Sequence, residues 1–108
     1  MPYIKIMNLT KEQVTAVAEN TLSSIAEIVG IPEGRFHFFH CGDLILENYL
    51  VLIEILWYPR DKNKMKTVAE LFYNEVKKYG DYDAHVVFHE LLSDKHYING
   101  EQHIHIPE

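Results

Sequence analysis

The segment Ala84-His-Val-Val-Phe-His89 is the strongest indication of the fold, because an earlier segment, Arg35-Phe-His-Phe-Phe-His40, is similar to it. Each has the short, apolar and β-branched or aromatic composition of a strand, and each follows a segment with helical spacing. A further strand-like segment precedes each helix, at residues 2–7 and at residues 49–58. The sequence therefore predicts two copies of one βαβ unit.

Two segments have the apolar spacing of amphipathic helices. The first begins after Thr10, which forms a capping box with Gln13, and Gly30 supplies its left-handed stop. The second begins after the capping residue Asp61 and ends before Gly80. The apolar stripes comprise Val14, Val17, Ala18, Leu22, Ile25, Ala26 and Val29 in the first helix, and Met65, Val68, Ala69, Phe72, Val76 and Tyr79 in the second.

The connections between these elements predict the architecture. Right-handed crossovers make the two strands of each unit parallel and place both helices on the same face of the sheet. We therefore expect an α/β fold in which tandem βαβ units form a four-stranded mixed sheet with two helices on one face. The strands are expected at residues 2–7, 35–41, 49–58 and 84–90, with a polar turn around Gly42-Asp43, and residues 1–108 are expected to form a single domain.

The third strand indicates self-association, because it is apolar on both of its faces. Val51, Ile53, Ile55 and Trp57 have one parity, and Leu50, Leu52 and Leu56 have the other. Only one set can lie under the helices, so a second copy of the protein is expected to cover the other. An Asn99-Gly100 hairpin turn near the carboxyl terminus offers an edge for such assembly.

Composition excludes several classes of partner. The 108 residues carry a formal net charge of -6, which opposes non-specific binding to nucleic acid and to anionic lipid. The longest apolar run, residues 49–57, is interrupted by Glu54 and is shorter than a membrane helix of about 20 residues. The single cysteine, Cys41, excludes an internal disulfide, and the amino terminus does not resemble a signal peptide. A cytoplasmic location is therefore expected.

Several motifs of this chain are similar, in their order and spacing, to those of a known family. They are Pro2-Tyr-Ile-Lys-Ile, Val29-Gly-Ile-Pro32, and Ala84-His-Val-Val-Phe-His-Glu-Leu91 followed by His96-Tyr97-Ile-Asn-Gly-Glu101. With its doubled βαβ unit, the chain resembles the tautomerase superfamily, specifically the macrophage migration inhibitory factor and 4-oxalocrotonate tautomerase group. The segment Ile53-Glu-Ile-Leu-Trp-Tyr-Pro-Arg60 is similar to a bacterial branch of that superfamily, known chiefly as a domain of unknown function.

The resemblance implies a homotrimer with active sites between neighbouring subunits, and it gives Pro2 a role. Removal of Met1 would leave the prolyl nitrogen as a free secondary amine, able to act as general base on a small enolisable carbonyl acid. An apolar pocket or nearby cations would favour the neutral, basic form of this amine. No cofactor is needed for such a reaction, and none is expected.

The resemblance also proposes substrate-binding residues, with two departures from the family pattern. Ile31 stands where the migration-inhibitory-factor group has a lysine, and His85 stands where the oxalocrotonate enzymes have an arginine. Carboxylate binding would then depend on other cations, such as Arg35 and Arg60. Tyr97 stands where the family often places an aromatic residue over the proline. We therefore assign Pro2 as the catalytic residue and His85, Arg60 and Tyr97 as substrate-binding residues.

Each assignment has a structural alternative. Pro2 would suit the start of an edge strand, and His85 with His89 would form hydrogen bonds on one strand face. Arg60 would pair with an acid such as Glu54, and Tyr97 would pack on a neighbouring subunit. The corresponding functional alternative is a non-catalytic homotrimeric binding module of the same fold. Decarboxylation or dehalogenation at the same proline is a third possibility.

The histidines raise the question of a metal site. The sequence contains seven of them, at His37, His40, His85, His89, His96, His103 and His105. The first two fall on opposite faces of their strand, and no helical His-x-x-x-His or Cys-x-x-Cys accompanies them. No metal site is therefore predicted.

Overall fold

The computed structural model describes residues 2–42 and 49–103, which include two α-helices and six β-strands. Each βαβ unit contributes its two strands to one sheet, and a short hairpin follows the second unit. The elements are β1 (Tyr3–Met7), α1 (Lys11–Val29), β2 (His37–His40), β3 (Leu50–Trp57), α2 (Lys62–Val76), β4 (Asp83–Glu90), β5 (Tyr97–Ile98) and β6 (Glu101–Gln102).

The main sheet is four-stranded and mixed, in the order β2-β1-β3-β4. β1 runs parallel to β2, and β3 runs parallel to β4, as expected for two right-handed βαβ units. The two units meet at the centre of the sheet, where β1 and β3 are antiparallel and Tyr3 is opposite Leu56. The predicted α/β class and mixed sheet are confirmed.

Local side-chain chemistry sets the helix ends. The Thr10 hydroxyl accepts a hydrogen bond from the Gln13 backbone N–H, and the Gln13 side chain accepts one from the Thr10 N–H. Gly30, at φ 79°, ends α1 in the left-handed conformation, and Asp61 caps α2 by accepting from the Lys64 N–H at 2.9 Å. All three of these predicted signals are confirmed.

Two predicted boundaries are wrong. The second strand begins at His37 and not at residue 35, because Glu33–Arg35 forms a turn of 3-10 helix after Pro32. The second helix ends at Val76, and Lys77–Tyr79 tightens into a 3-10 turn before Gly80. The predicted turn at Gly42-Asp43 lies partly outside the described residues, since Asp43 is not among them.

The core lies between the helices and one face of the sheet. Ile4 and Ile6 of β1 are fully buried, and so are the four β3 residues from Val51 to Trp57 that lie on the same face of the sheet. Trp57, the last of these, stacks on Phe88 of β4 with ring centroids 4.9 Å apart. The β3 residues are Val51, Ile53, Ile55 and Trp57.

The opposite face of the sheet has no covering layer among the described residues. We call it the bare face, defined by Tyr3, Lys5 and Met7 of β1, His37 and Phe39 of β2, Leu50, Leu52, Glu54 and Leu56 of β3, and His85, Val87 and His89 of β4. Near its centre, Glu54 lies 3.8 Å from the Lys5 Nζ and 2.8 Å from the His89 Nε2. This face thus combines apolar and polar side chains, and its charged residues Lys5 and Glu54 are paired with each other.

Helix length and composition bear on membrane insertion. In residues 2–42 and 49–103, neither helix combines the length and apolar character that a membrane span requires.

Candidate functional site

The sheet topology brings many chain segments together at one end of the sheet. β1 begins there, and its antiparallel neighbour β3 ends there, as does β4. The carboxyl end of α1 leads into β2, which begins at the same end as its parallel neighbour β1, and α2 and the β5–β6 hairpin follow the strands that end there. We call this region the Pro2 end.

Pro2 lies buried at the start of β1. Its carbonyl oxygen accepts a hydrogen bond from the His37 backbone N–H at 3.1 Å, which continues the β1–β2 ladder. Continuing the strand register by one residue places Pro2 beside Phe36 on one side and Trp57 on the other. Phe36 and Trp57 are both buried, so the two residues that flank Pro2 in the sheet are apolar and shielded from solvent.

Arg60 also lies at the Pro2 end, three residues after the end of β3 and immediately before the α2 cap Asp61. Its guanidinium carbon is 5.8 Å from the centroid of the Trp57 ring, a cation–π contact that orients the side chain. Glu54, the suggested structural partner of Arg60, binds Lys5 and His89. Arg60 and Pro2 are therefore at the same end of the sheet.

Tyr97 is the first residue of the β5–β6 hairpin, which follows β4 at the Pro2 end. Asn99 and Gly100 make the turn with φ values of 54° and 83°, as the Asn-Gly pair predicts. The Tyr97 side chain is 59% exposed. Its ring is thus presented outward, available to a substrate or to a neighbouring subunit.

His85 lies away from the Pro2 end. On the bare face it pairs with Leu52, which pairs with Met7 at the far end of β1. Met7 is five positions after Pro2 in the chain, so the two sites are roughly 17 Å apart along the strand. Within one chain, the structure brings Pro2, Arg60 and the hairpin to one end and leaves His85 at the other.

A polar cluster at the Pro2 end was not predicted. The His96 ring lies between two tyrosines, with Nδ1 2.7 Å from the Tyr58 Oη and Nε2 3.2 Å from the Tyr3 Oη. The His103 ring is 5.0 Å from that of His96, and the His37 ring stacks on Tyr3 at 5.8 Å. We call these five residues the tyrosine–histidine cluster.

Burial governs the ionisation of this cluster. Tyr58 is 2% exposed and His96 is 9% exposed. Burial lowers the pKa of His96, and the positive charge that His103 can carry lowers it further. Burial also raises the pKa of Tyr58, so the centre of the cluster contains a neutral imidazole and a protonated phenol near neutral pH.

The sequence contains only a weak signal for the cluster. Tyr3 and His96 are 93 residues apart, and Tyr58 and His96 are 38 apart. Their contact depends on β1 and β3 being antiparallel neighbours, which no local motif encodes. Once that order is known, Tyr3 at the start of β1, Tyr58 after β3 and His96 before the hairpin all map to one end of the sheet.

Metal binding finds no support within the described part of the chain. There, no three His, Cys, Asp or Glu side chains are grouped so that they could hold an ion. Two of the histidines have other roles, since His40 hydrogen-bonds the Leu9 carbonyl and His89 binds Glu54. His105 lies outside the described residues.

Because folding lowers the pKa of His96, the free energy of unfolding is expected to depend on pH. In the unfolded chain His96 takes up a proton near its ordinary pKa of 6.5, whereas the folded protein resists protonation to lower pH. Stability from this group is therefore complete above pH 6.5 and is lost as the pH falls towards the folded-state pKa, by at most about 1.4 kcal/mol per pH unit.

Urea unfolding at a series of pH values from 7.5 to 5, compared between wild type and His96→Gln, measures this contribution. We expect the loss of unfolding free energy on acidification to be smaller in the variant. Identical pH dependence in the two proteins would contradict the buried, neutral state of His96.

Comparison with known families identifies a match over almost the whole chain. Residues 1–103 match the family described as "Domain of unknown function (DUF1904)". A search of proteins with curated descriptions finds no match.

Solved structures with the same fold include members of the tautomerase superfamily. A DUF1904 domain from Sebaldella termitidis is 27% identical, covers 95% of this chain and 100% of its own, and superposes with a TM-score of 0.88. A macrophage migration inhibitory factor-like protein from Entamoeba histolytica is 13% identical, with coverages of 94% and 98% and a TM-score of 0.75. A fused 4-OT, solved as an asymmetric trimer, is 9% identical, with coverages of 93% and 94% and a TM-score of 0.76.

Proposed function

The chain belongs to the DUF1904 family and has the tautomerase fold, and we propose that it is a tautomerase-like isomerase whose base is the amine of Pro2. Its substrate is a small enolisable carbonyl acid. The observation that carries the proposal is the position of Pro2, buried at the start of β1 beside Phe36 and Trp57.

Apolar surroundings suit a general base of this kind. Desolvation disfavours the charged form of an amine, so a buried secondary amine stays neutral at lower pH than an exposed one. Ile31, which is 7% exposed, follows α1 at the Pro2 end and adds to this apolar environment. In the migration-inhibitory-factor group a lysine stands at the position of Ile31. In this chain, burial would keep the Pro2 amine neutral in place of that cation.

The arginines at the Pro2 end are suited to hold the substrate. Arg60 follows β3, and Arg35 lies in the 3-10 turn that leads into β2. A guanidinium binds a carboxylate through two parallel hydrogen bonds, which fixes the orientation of a keto acid as well as its position. In the proposed complex, Arg60 anchors the carboxylate and Pro2 exchanges a proton with the adjacent carbon.

The remaining assigned residues require a second subunit. His85 is on the bare face and Tyr97 is exposed on the hairpin, so both are available to a neighbour. A homotrimer that covers the bare face would bring one subunit's His85 and Tyr97 towards the Pro2 of another. The fused 4-OT of the same fold was solved as a trimer, which supports this arrangement. We place the protein in the cytoplasm, in keeping with its single cysteine.

A non-catalytic homotrimeric module is the competing function, and Ile31 favours it. A buried isoleucine cannot assist carboxylate binding, and His85 replaces an arginine of the oxalocrotonate enzymes. If Met1 is retained, Pro2 has no basic nitrogen and only the scaffold remains. The two functions therefore differ in one covalent feature, the free amine.

The deciding experiment combines intact mass with an activity assay. The protein is purified from its native host, its mass establishes whether Met1 is removed, and the processed form is given the enol of phenylpyruvate and 2-hydroxymuconate. We expect ketonisation above the buffer rate, followed by ultraviolet absorbance. A processed protein that is inactive across a panel of enolisable acids would support the binding module.

A further inference from the structure

The β5–β6 hairpin depends on neighbouring residues for its position. In the described part of the chain its two strands form a separate sheet and do not extend the four-stranded one. Each strand has two residues, Tyr97–Ile98 and Glu101–Gln102, and an isolated two-stranded hairpin is at best marginally stable in water. The hairpin is therefore expected to keep its place while the residues beside it stay packed against the larger sheet.

His96, the residue directly before β5, makes this connection. Its ring is buried between two tyrosines of the larger sheet's end, with Nδ1 2.7 Å from the Tyr58 Oη and Nε2 3.2 Å from the Tyr3 Oη. Its backbone oxygen also accepts a hydrogen bond from the His103 N–H, just after β6, at 2.7 Å. One buried residue thus joins the two arms of the hairpin to each other and to the ends of two segments of the main sheet.

The surroundings of His96 oppose a positive charge on its ring. Burial lowers the pKa of His96, and positive charges on His103 and on the amino terminus lower it further. The His103 ring centroid is 5.0 Å from that of His96. The two tyrosine oxygens can accept from an imidazolium, so the cost of protonation comes from desolvation and from repulsion between charges.

The other ionisable groups around His96 lie further out. Asp94 and Lys95 are on the turn before it, with exposed side chains. His37 of β2 is stacked on Tyr3, which separates it from the His96 ring. The group that acts on His96 from within the hairpin segment is therefore His103, and this group is repulsive when both rings are charged.

We propose that His96 is an acid-sensitive latch, which holds the β5–β6 hairpin against the Pro2 end in its neutral form and releases the hairpin when it takes up a proton. In the released state the imidazolium is hydrated and is further from His103, so that state binds the proton more readily. The step is proton uptake from solvent and involves no other change in bonding.

Release of the hairpin would alter the Pro2 end. Tyr97 is the first residue of the hairpin, so its ring would leave that end together with β5. The consequence for substrate binding rests on the proposed function, in which Tyr97 contributes to the site. The latch itself does not, because it requires only the contacts of His96.

Proton linkage sets the size and direction of the effect. The released hairpin has the ordinary His96 pKa of 6.5, and the closed hairpin has a lower one. The closed state is therefore favoured fully above the ordinary pKa and loses ground as the pH falls towards the lower one. Between pH 7.5 and 5.5 the ratio of closed to released hairpin should fall by at most about tenfold.

Amide hydrogen exchange, followed by NMR from pH 7.5 to 5.5 and corrected for intrinsic exchange rates, measures this ratio. The reporter is the His103 N–H, whose hydrogen bond to the His96 oxygen is lost when the hairpin opens. The reference is the Cys41 N–H, which donates to the Ile6 oxygen at 2.9 Å in the main sheet. We expect the protection factor of His103 to be lower than that of Cys41 at every pH and to fall on acidification.

Two results in the wild type would overturn the latch. A constant protection factor for His103 across the series would show that no proton is coupled to the hairpin. Equal protection of His103 and Cys41 at every pH would show that the hairpin opens only when the whole domain unfolds.

Glutamine variants identify the residue that titrates. His96→Gln cannot take up a proton, so its His103 amide should show no fall in protection, and a fall equal to that in the wild type would assign the effect to another group. His103→Gln removes one repelling charge, so its fall should be smaller than in the wild type, which keeps the test valid if His96→Gln fails to close the hairpin. The matched control is His40→Gln, whose ring binds the Leu9 carbonyl in the wild type, and it should show the wild-type fall.

These measurements use no substrate, so they separate the latch from the proposed function. Inactive protein with the expected exchange behaviour would leave the latch in place, and active protein with constant protection of His103 would overturn the latch alone.

Discussion

Protein whose amino terminus is blocked, by retained Met1 or by acetylation, is expected to lose ketonisation activity by about a hundred- to ten-thousandfold relative to protein with a free Pro2. Both blocks convert the secondary amine into an amide, which is not a base, yet both keep the proline ring. The kcat/KM values of blocked and free preparations, with their masses confirmed, measure the effect.

Two controls separate the amine from the shape of the residue. Pro2→Ala in processed protein leaves a primary amine and should retain part of the activity. Arg60→Gln should instead raise KM, because it removes the proposed binding contact and leaves the proposed base intact. Equal kcat/KM in blocked and free protein would remove Pro2 from the mechanism.

The pH profile of the free form carries further information. Activity should rise with pH as the amine loses its proton, and burial beside Phe36 and Trp57 should bring that rise below the ordinary range for an α-amino group, about 7.7–8.0. A rise centred at or above the ordinary range would indicate that the surroundings of Pro2 in solution are not apolar.

The features of the fold that sequence predicts are those encoded within a few residues. Thr10 and Gln13 are three residues apart and cap each other, and Gly30 and the Asn99-Gly100 pair supply the positive φ values that their turns require. The start of β2 was misplaced for an equally local reason. Apolar composition continues back through residue 36, but the Pro32-Glu-Gly turn holds Arg35 in a 3-10 conformation.

The site was predicted less completely, because its contacts are between distant segments. Pro2 and Arg60 are identified from a family motif, and the topology does bring them to one end of the sheet. His85 is likewise motif-based, but within one chain it pairs near the opposite end of β1. Tyr3, Tyr58 and His96 fall within quoted motifs that assign them no role in the site, and the antiparallel β1–β3 pairing makes them neighbours.

The second large effect is expected at the bare face, where Leu52→Asp should prevent the proposed trimer from forming. Leu52 is on the central strand β3, between Met7 of β1 and His85 of β4. In a trimer that covers this face, Glu54 would be buried together with Lys5 and His89, to which it is paired. An aspartate at position 52 would add a second carboxylate without adding a positive charge to pair with it. Burying such a charge costs at least about 3 kcal/mol, more than a hundredfold in the association constant.

Sedimentation velocity at micromolar concentration measures this effect, with two variants as controls. Tyr73→Asp makes the same change of charge on the helical layer, at an exposed position of α2, and should sediment as wild type does. Leu52→Asn keeps the shape of aspartate without its charge and should weaken assembly less than Leu52→Asp. If Leu52→Asp and Tyr73→Asp assemble equally well, or if the wild type is a monomer, the bare face is not the trimer interface. His85 would then have no route to a neighbour's Pro2, and the site would have to be completed within one chain, by Arg60 and the tyrosine–histidine cluster alone.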